Sequence, residues 1–366
     1  MSVANLALQR NKYKHLTDDE WRWFLQQEEG KERTADKLPS FATIEDWWYP
    51  VRLSCEQCSS ELAAKYKASL VSGEQMVDLT GGYGVDTYFF NDSFPSIDYV
   101  EQNTELCRIA AHNFANKPIV IHNSTAEDFL KTAEEYDLIF LDPARRDSHG
   151  GKVFRLEDCT PNVVELLPTL LDHGKRILLK LSPMLDLAQA VKSLSQATWD
   201  IDVVAIKNEV KELLLLSGGS GRITAIDLEK KDQAFVFTRE EEQEAQSAIC
   251  HLSLENGVFI YEPNAAILKA GAFKLAGERF GLTKLDVNTH LYGSEELVEN
   301  FPGRTWKVVE KKDLKQANVL CRNYPLTPEQ LKKKLRIKDG GTDFVIGCRI
   351  NGKPTLFFAE RIEDIH

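Results

Sequence analysis

The sequence predicts an α/β protein built on a doubly wound, mostly parallel sheet of seven strands, with a helical segment before it and small α+β units after it. Three observations predict this. Between residues 75 and 228, short β-rich apolar runs alternate with stretches of helical pattern, as parallel crossover connections require. The last two runs are separated only by residues 207–212, too few for a crossover, so they form an antiparallel hairpin. A glycine-rich turn, Gly81-Gly82-Tyr83-Gly84, follows the first run and opens a helix, marking the ligand edge of an open α/β sheet.

The first fifty residues read as short helices, one opened by the capping box Thr17, Asp18, Asp19, Glu20 ahead of Trp21, Trp23, Phe24 and Leu25. Four of the six tryptophans, Trp21, Trp23, Trp47 and Trp48, fall here. Such a cluster can stack on bases, but it more often pins a helical segment onto a neighbouring domain. The predicted strands of the sheet are 76–79, 97–100, 119–121, 138–141, 176–181, 201–206 and 213–216. Residues 257–309 read as a small α+β unit with a strand at 258–261, a helix at 265–280 and an extended stretch at Leu291 and Tyr292. Thr327, Pro328 and Glu329 then open a helix, and Lys332, Lys333, Lys334, Arg336 and Lys338 make its run basic. That face is either simply solvated or a phosphate contact. Strands 344–349 and 355–359 form a final hairpin around Asn351-Gly352. The expected divisions are 1–55 (helical), 56–250 (catalytic), 251–310 and 311–366.

With 366 residues, 43% hydrophobic and 28% charged, the chain has material for several packed domains, which excludes disordered and collagen-like classes. The apolar runs fall far short of the roughly 20 residues that cross a bilayer, so no membrane partner is expected. Residues 1–14 lack the apolar region of a secretory signal, and the seven cysteines form no dense framework. A reducing cytoplasm with free thiols is the expectation. The net charge of −11 argues against coating nucleic acid by bulk charge. The charge is uneven, however: residues 251–366 carry +3 and residues 1–250 carry −14, which leaves room for a local basic site.

The chemistry-bearing pattern begins at Asp78-Leu79-Thr80-Gly81-Gly82-Tyr83-Gly84-Val85-Asp86. Glycines here let a ligand approach the backbone. The next strand ends at Val100-Glu101, a carboxylate 23 residues after Asp78 and suited to both hydroxyls of a ribose. An adenosine-type cofactor follows. The dinucleotide fingerprint fails, since Thr87 stands where its third glycine belongs, and the Walker lysine is absent.

The glycine turn, the two acids and the closing hairpin together resemble class I S-adenosylmethionine-dependent methyltransferases over residues 56–228. The resemblance implies S-adenosyl-L-methionine as cofactor. It implies that Asp78, Thr80, Gly81, Gly82, Gly84 and Asp86 contact it from the first strand and turn, with Glu101 and Gln102 at the ribose. Ser124 and Thr125 fall near the adenine, where Asn123 is the alternative partner. Asp142, Pro143 and Arg145 of Leu141-Asp142-Pro143-Ala144-Arg145-Arg146 fall where the family touches the methyl acceptor, and Asp142 also lies near the cofactor. Asp142 has the reach to orient or deprotonate an acceptor, or else it caps its loop.

Members that methylate exocyclic amines usually follow the acid with Pro-Pro and an aromatic; Ala144 and Arg145 depart from that pattern and disfavour an amine target. Ser182 stands where enzymes acting on pyrimidine C5 place a nucleophilic cysteine, so direct, non-covalent transfer is expected. Lys180 either lines the acceptor pocket or packs its stem on the sheet. Arg145 and Arg146 suit an anion, or salt bridges to Asp147 or Glu157. The segment 56–61 is the expected cover of the cofactor. Cys55 and Cys58 read as packing residues, without the second pair a metal site needs, and no metal is expected. Among the histidines only His149 lies near the acceptor loop. The last part of the chain resembles a THUMP-like domain and the unit before it a ferredoxin-like insert. By analogy with THUMP domains proper, this implies an rRNA or tRNA acceptor. The competing readings are a non-catalytic RNA-binding protein that keeps the fold, and a methyltransferase of small molecules or proteins.

Overall fold

The computed structural model describes residues 3–145, 155–246, 248–249, 255–310 and 313–362, without the side chains of Ala4 and Arg145. Arg146, Asp147 and His149 therefore lie outside the described residues. The chain divides into two compact units, one of residues 1–199 with 214–219, the other of residues 200–213 with 220–366.

In the first unit, strands β1 (Gln75–Asp78), β2 (Ser96–Glu101), β3 (Ile119–Asn123), β4 (Tyr136–Leu141) and β5 (Gly174–Leu181) lie parallel in the order β3-β2-β1-β4-β5. Val77, Ile139 and Ile177 are fully buried, as expected of strands covered on both faces. The chain leaves β1 toward β2 on one side and later returns to β4 on the other, so a crevice opens at the carboxyl end of β1. In the helical segment ahead of the sheet, Thr17 and Glu20 close the predicted capping box of helix Asp18–Thr34, with Thr17 N–H donating to Glu20 at 2.7 Å. Such caps are worth about 1 kcal/mol. The tryptophans pack within this unit. Trp47 Nε1 donates to the Tyr83 hydroxyl at 2.8 Å, and the Arg108 guanidinium lies 4.5 Å from the Trp23 ring and 4.8 Å from Trp48.

The hairpin strands are longer than expected, Trp199–Ile206 and Glu209–Ser217, and are joined by Lys207-Asn208 alone. Both turn residues have positive φ, 54° and 58°, the conformation of a tight two-residue hairpin. Among the described residues the sheet has nine strands instead of seven. The additions are Ile223–Asp227, parallel to Trp199–Ile206, and Phe235–Phe237, antiparallel to Ile223–Asp227. Thr224 and Asp227 break the apolar pattern of the first although all five residues are buried, and the second is only three residues long.

The second unit also holds a seven-stranded sheet spanning residues 259–362. Its central strands are Phe259–Pro263, Gly303–Val309 and Lys353–Ile362, all antiparallel to their neighbours, around the fully buried Ile260, Trp306 and Ile346. The predicted helix 265–280 is two helices, Ala265–Ala270 and Leu275–Arg279, because Gly271 at φ 84° ends the first. The basic helix is Pro328–Leu335, stopped by Arg336 in the left-handed conformation. Lys332 pairs with Asp339 at 2.6 Å, while Lys333, Lys334, Arg336 and Lys338 are exposed. No described helix is long and apolar enough to cross a membrane.

Candidate active site

The crevice at the end of β1 holds a cavity of about 310 Å³. Its floor is the glycine turn. Gly81 N–H donates to Val100 C=O at 2.9 Å, and a Cβ on Gly81 would sit 2.1 Å from the Tyr99 ring. Only glycine permits that approach. Gly82 has φ 57° and Gly84 φ 81°; both need the freedom glycine has, and a Cβ on Gly84 would also strike Phe114. The Tyr99 hydroxyl donates to Gly82 C=O at 2.6 Å and holds the turn from below. Sequence reading missed Tyr99. Its signal was an aromatic two positions before Glu101, in register with Asp78 across the sheet.

Asp78 is buried at the base of the turn and accepts bonds from Thr80 N–H at 3.0 Å and the Thr87 hydroxyl at 2.6 Å. Burial pushes its carboxyl up to about 7, opposed by those two bonds and reinforced by Asp86 and Asp142. Glu101 accepts from Gly82 N–H at 2.9 Å and Asn103 N–H at 2.8 Å, which fixes its carboxylate at the cavity wall. Gln102, Ser124 and Thr125 line the same wall. Thr125 also caps the helix Ala126–Leu130. Asn123 does not line the cavity; its amide donates to the Glu101 and Gln102 carbonyls.

On the opposite side the structure assembles a charged cluster that sequence spacing could not show. Asp86 accepts from Ser59 at 2.8 Å and is paired with Lys67 at 3.2 Å and Lys180 at 3.7 Å. Burial opposes its ionisation, but the two lysines and Ser59 outweigh it, and the carboxyl is held below its ordinary range. Lys180 also donates to Asp142. Asp142 N–H donates to the Thr80 hydroxyl at 2.7 Å, so this acid is tied to both the glycine turn and the buried cluster. Pro143 follows, buried, and Ala144 and Arg145 pair with Thr160 and Cys159 in a short antiparallel ladder. Ser182 is not among the cavity-lining residues.

Ser54, Gln57, Cys58 and Ser59 line the cavity, so the covering segment starts before the predicted 56–61. Helix Glu61–Ser69 begins just after it, capped by Ser60. Burial raises both thiols of this segment, that of Cys55 to about 12, and Cys58 Sγ donates to Cys55 C=O. Among the described residues no three His, Cys, Asp or Glu side chains gather as metal ligands.

A glycine cradle, a carboxylate fixed at the end of β2 and a second acid at the end of β4 fit S-adenosylmethionine and define a class I methyltransferase. Comparison with known proteins agrees. A solved structure of a candidate methyltransferase from Porphyromonas gingivalis W83 is 33% identical, covers 95% of this chain and 92% of its own, and superposes with a TM-score of 0.84. Uncharacterised S-adenosylmethionine-dependent methyltransferases from two strains of Mycobacterium tuberculosis are 22% identical over 345 residues, 90% of this chain and 92% of theirs. Family models match a ferredoxin-like domain at residues 259–302 and a THUMP domain-like region at residues 303–361. The chain belongs to the class I S-adenosylmethionine-dependent methyltransferases with a C-terminal THUMP-like domain, and S-adenosylmethionine is its cofactor.

Proposed function

We propose that this methyltransferase modifies rRNA or tRNA by direct, non-covalent methyl transfer. The observation that carries the site assignment is the double anchoring of Asp142, by Thr80 at its N–H and by Lys180 at its carboxylate, on the wall of the cofactor cavity. The cofactor supplies an electrophilic methyl group. The turn Gly81-Gly82 and Glu101 would hold it at the end of β1, with Gln102, Ser124 and Thr125 available to its adenosine and Asp78 and Asp86 to its methionine part. Asp142 faces the acceptor and orients it or takes its proton, with Pro143 stiffening the loop. Arg145 follows as an acceptor contact. In this reading residues 56–250 perform the chemistry, the N-terminal 1–55 buttresses it, and residues 251–310 and 311–366 grip the acceptor. The RNA assignment is supported by the THUMP-like match and by the exposed Lys333, Lys334, Arg336 and Lys338 within that region.

Incubating the protein with labelled S-adenosylmethionine and total RNA from cells lacking it, followed by nucleoside mass spectrometry, tests this directly. A labelled nucleoside is expected. Label appearing only in protein or small molecules would transfer the assignment to those acceptors.

A further inference from the structure

A second cavity, of about 340 Å³, lies wholly within the second unit and shares no lining residue with the first cavity. Its walls carry Lys207, Lys230, Arg304 and Arg361 against two acids, Asp227 and Glu229. The buried acid serves the fold. Asp227 is 6% exposed, and its two carboxylate oxygens accept from Asn208 N–H at 2.7 Å and Glu229 N–H at 3.2 Å. One carboxylate thus pins two turns, and each turn carries a lysine of the cavity. The first turn is fixed a second time, because the Asn208 side chain accepts from Ala265 N–H at 2.7 Å. Arg304 is anchored too, on the buried Glu262, which also accepts from Arg322.

We infer that this cavity binds a phosphate of the RNA acceptor, an inference that rests on the RNA reading above. Cations outnumber acids around the cavity, and the buried acid has its oxygens turned to backbone N–H groups. Lys207 and Arg361 are exposed at the cavity and present donors to an anion. A phosphodiester matches an ammonium and a guanidinium at close range. Pinning the turns in advance lowers the ordering cost of gripping a charged ligand. The site takes backbone phosphate, so it positions the acceptor without reading its sequence.

The test uses the full chain and the double variant Lys207→Gln/Arg361→Gln, which replaces two exposed side chains and leaves Asp227 and Asn208 in place. Binding of RNA recovered as substrate is measured from 50 to 300 mM salt, a range on the order of that over which phosphate contacts are resolved. Each phosphate contact contributes about 0.7 to the slope of log affinity against log salt for a single strand. The slope is expected to fall by about 0.7 in the variant, with unchanged S-adenosylmethionine affinity and melting midpoint. An unchanged slope in a variant that still methylates RNA would overturn the inference while sparing the functional reading. Should the native chain bind no RNA, tripolyphosphate is titrated into both proteins by calorimetry. Loss of tripolyphosphate binding in the variant would keep an anion site here and overturn the RNA reading; equal or absent binding in both would overturn the site as well.

Discussion

The two cavities of this protein use charge in opposite ways. Beside the glycine turn the buried Asp86 is enclosed with Lys67 and Lys180, so opposite charges face one another across a few ångströms, while the buried Asp78 is held by Thr80 and Thr87. In the cavity of the second unit the buried acid Asp227 accepts from two backbone N–H groups, and the cations Lys207 and Arg361 are exposed. The first arrangement suits a fixed geometry, since enclosed groups have few alternatives to the partners they hold. The second suits a grip, where affinity must be adjustable and reversible. Water screens it, and salt weakens it.

The largest effect that would break this contrast is expected at Asp142. Asp142→Ala should lower turnover about 100-fold or more, with S-adenosylmethionine affinity changed only slightly; single-turnover assays separate the two. Retained turnover would reduce Asp142 to a loop anchor. Next is Glu101→Ala, expected to weaken S-adenosylmethionine binding by about 10–100-fold through loss of charge-assisted hydrogen bonds, read by calorimetry. A smaller effect is expected at Tyr99→Phe, which removes the hydroxyl bonded to Gly82 C=O and should cost about 1 kcal/mol in chemical denaturation.

The folded protein holds the Asp78 carboxyl at about 7, above its ordinary value of 3.8, so between those limits the folded state binds more protons than the unfolded one. Stability of the unliganded protein therefore falls as pH rises from about 4 toward 7. Asp78→Asn should flatten that component in urea titrations run across the range. A variant profile that superimposes on the native one would show that Asp78 ionises normally.

Legibility in the sequence followed the range of the interactions. The glycine turn was visible because its constraint is local: Gly82 and Gly84 need positive φ and Gly81 needs close packing, and glycine is written at all three. Glu101 was visible because a strand end and a fixed separation point to it. Cys58 and Ser59 fell within the expected cover, although the lining extends back to Ser54. The charged cluster was not visible. Lys67, Asp86 and Lys180 come from a helix before the sheet, the helix after the turn and strand β5, and only the packed fold brings them together. Strand Ile223–Asp227 was missed for a related reason, as its Thr224 and Asp227 look exposed by composition and are buried in fact. The helix broken at Gly271 shows the converse error, where a local signal was present and the longer periodic run was preferred.

The bond from Asp142 N–H to the Thr80 hydroxyl has a practical consequence for anyone rebuilding this enzyme. It stitches the loop after β4 to the turn after β1, so neither segment is an independent module. A loop transplanted from a relative to change acceptor preference would arrive without a seat unless residue 80 kept a hydroxyl. Libraries aimed at new acceptors should therefore vary the two segments as a single cassette.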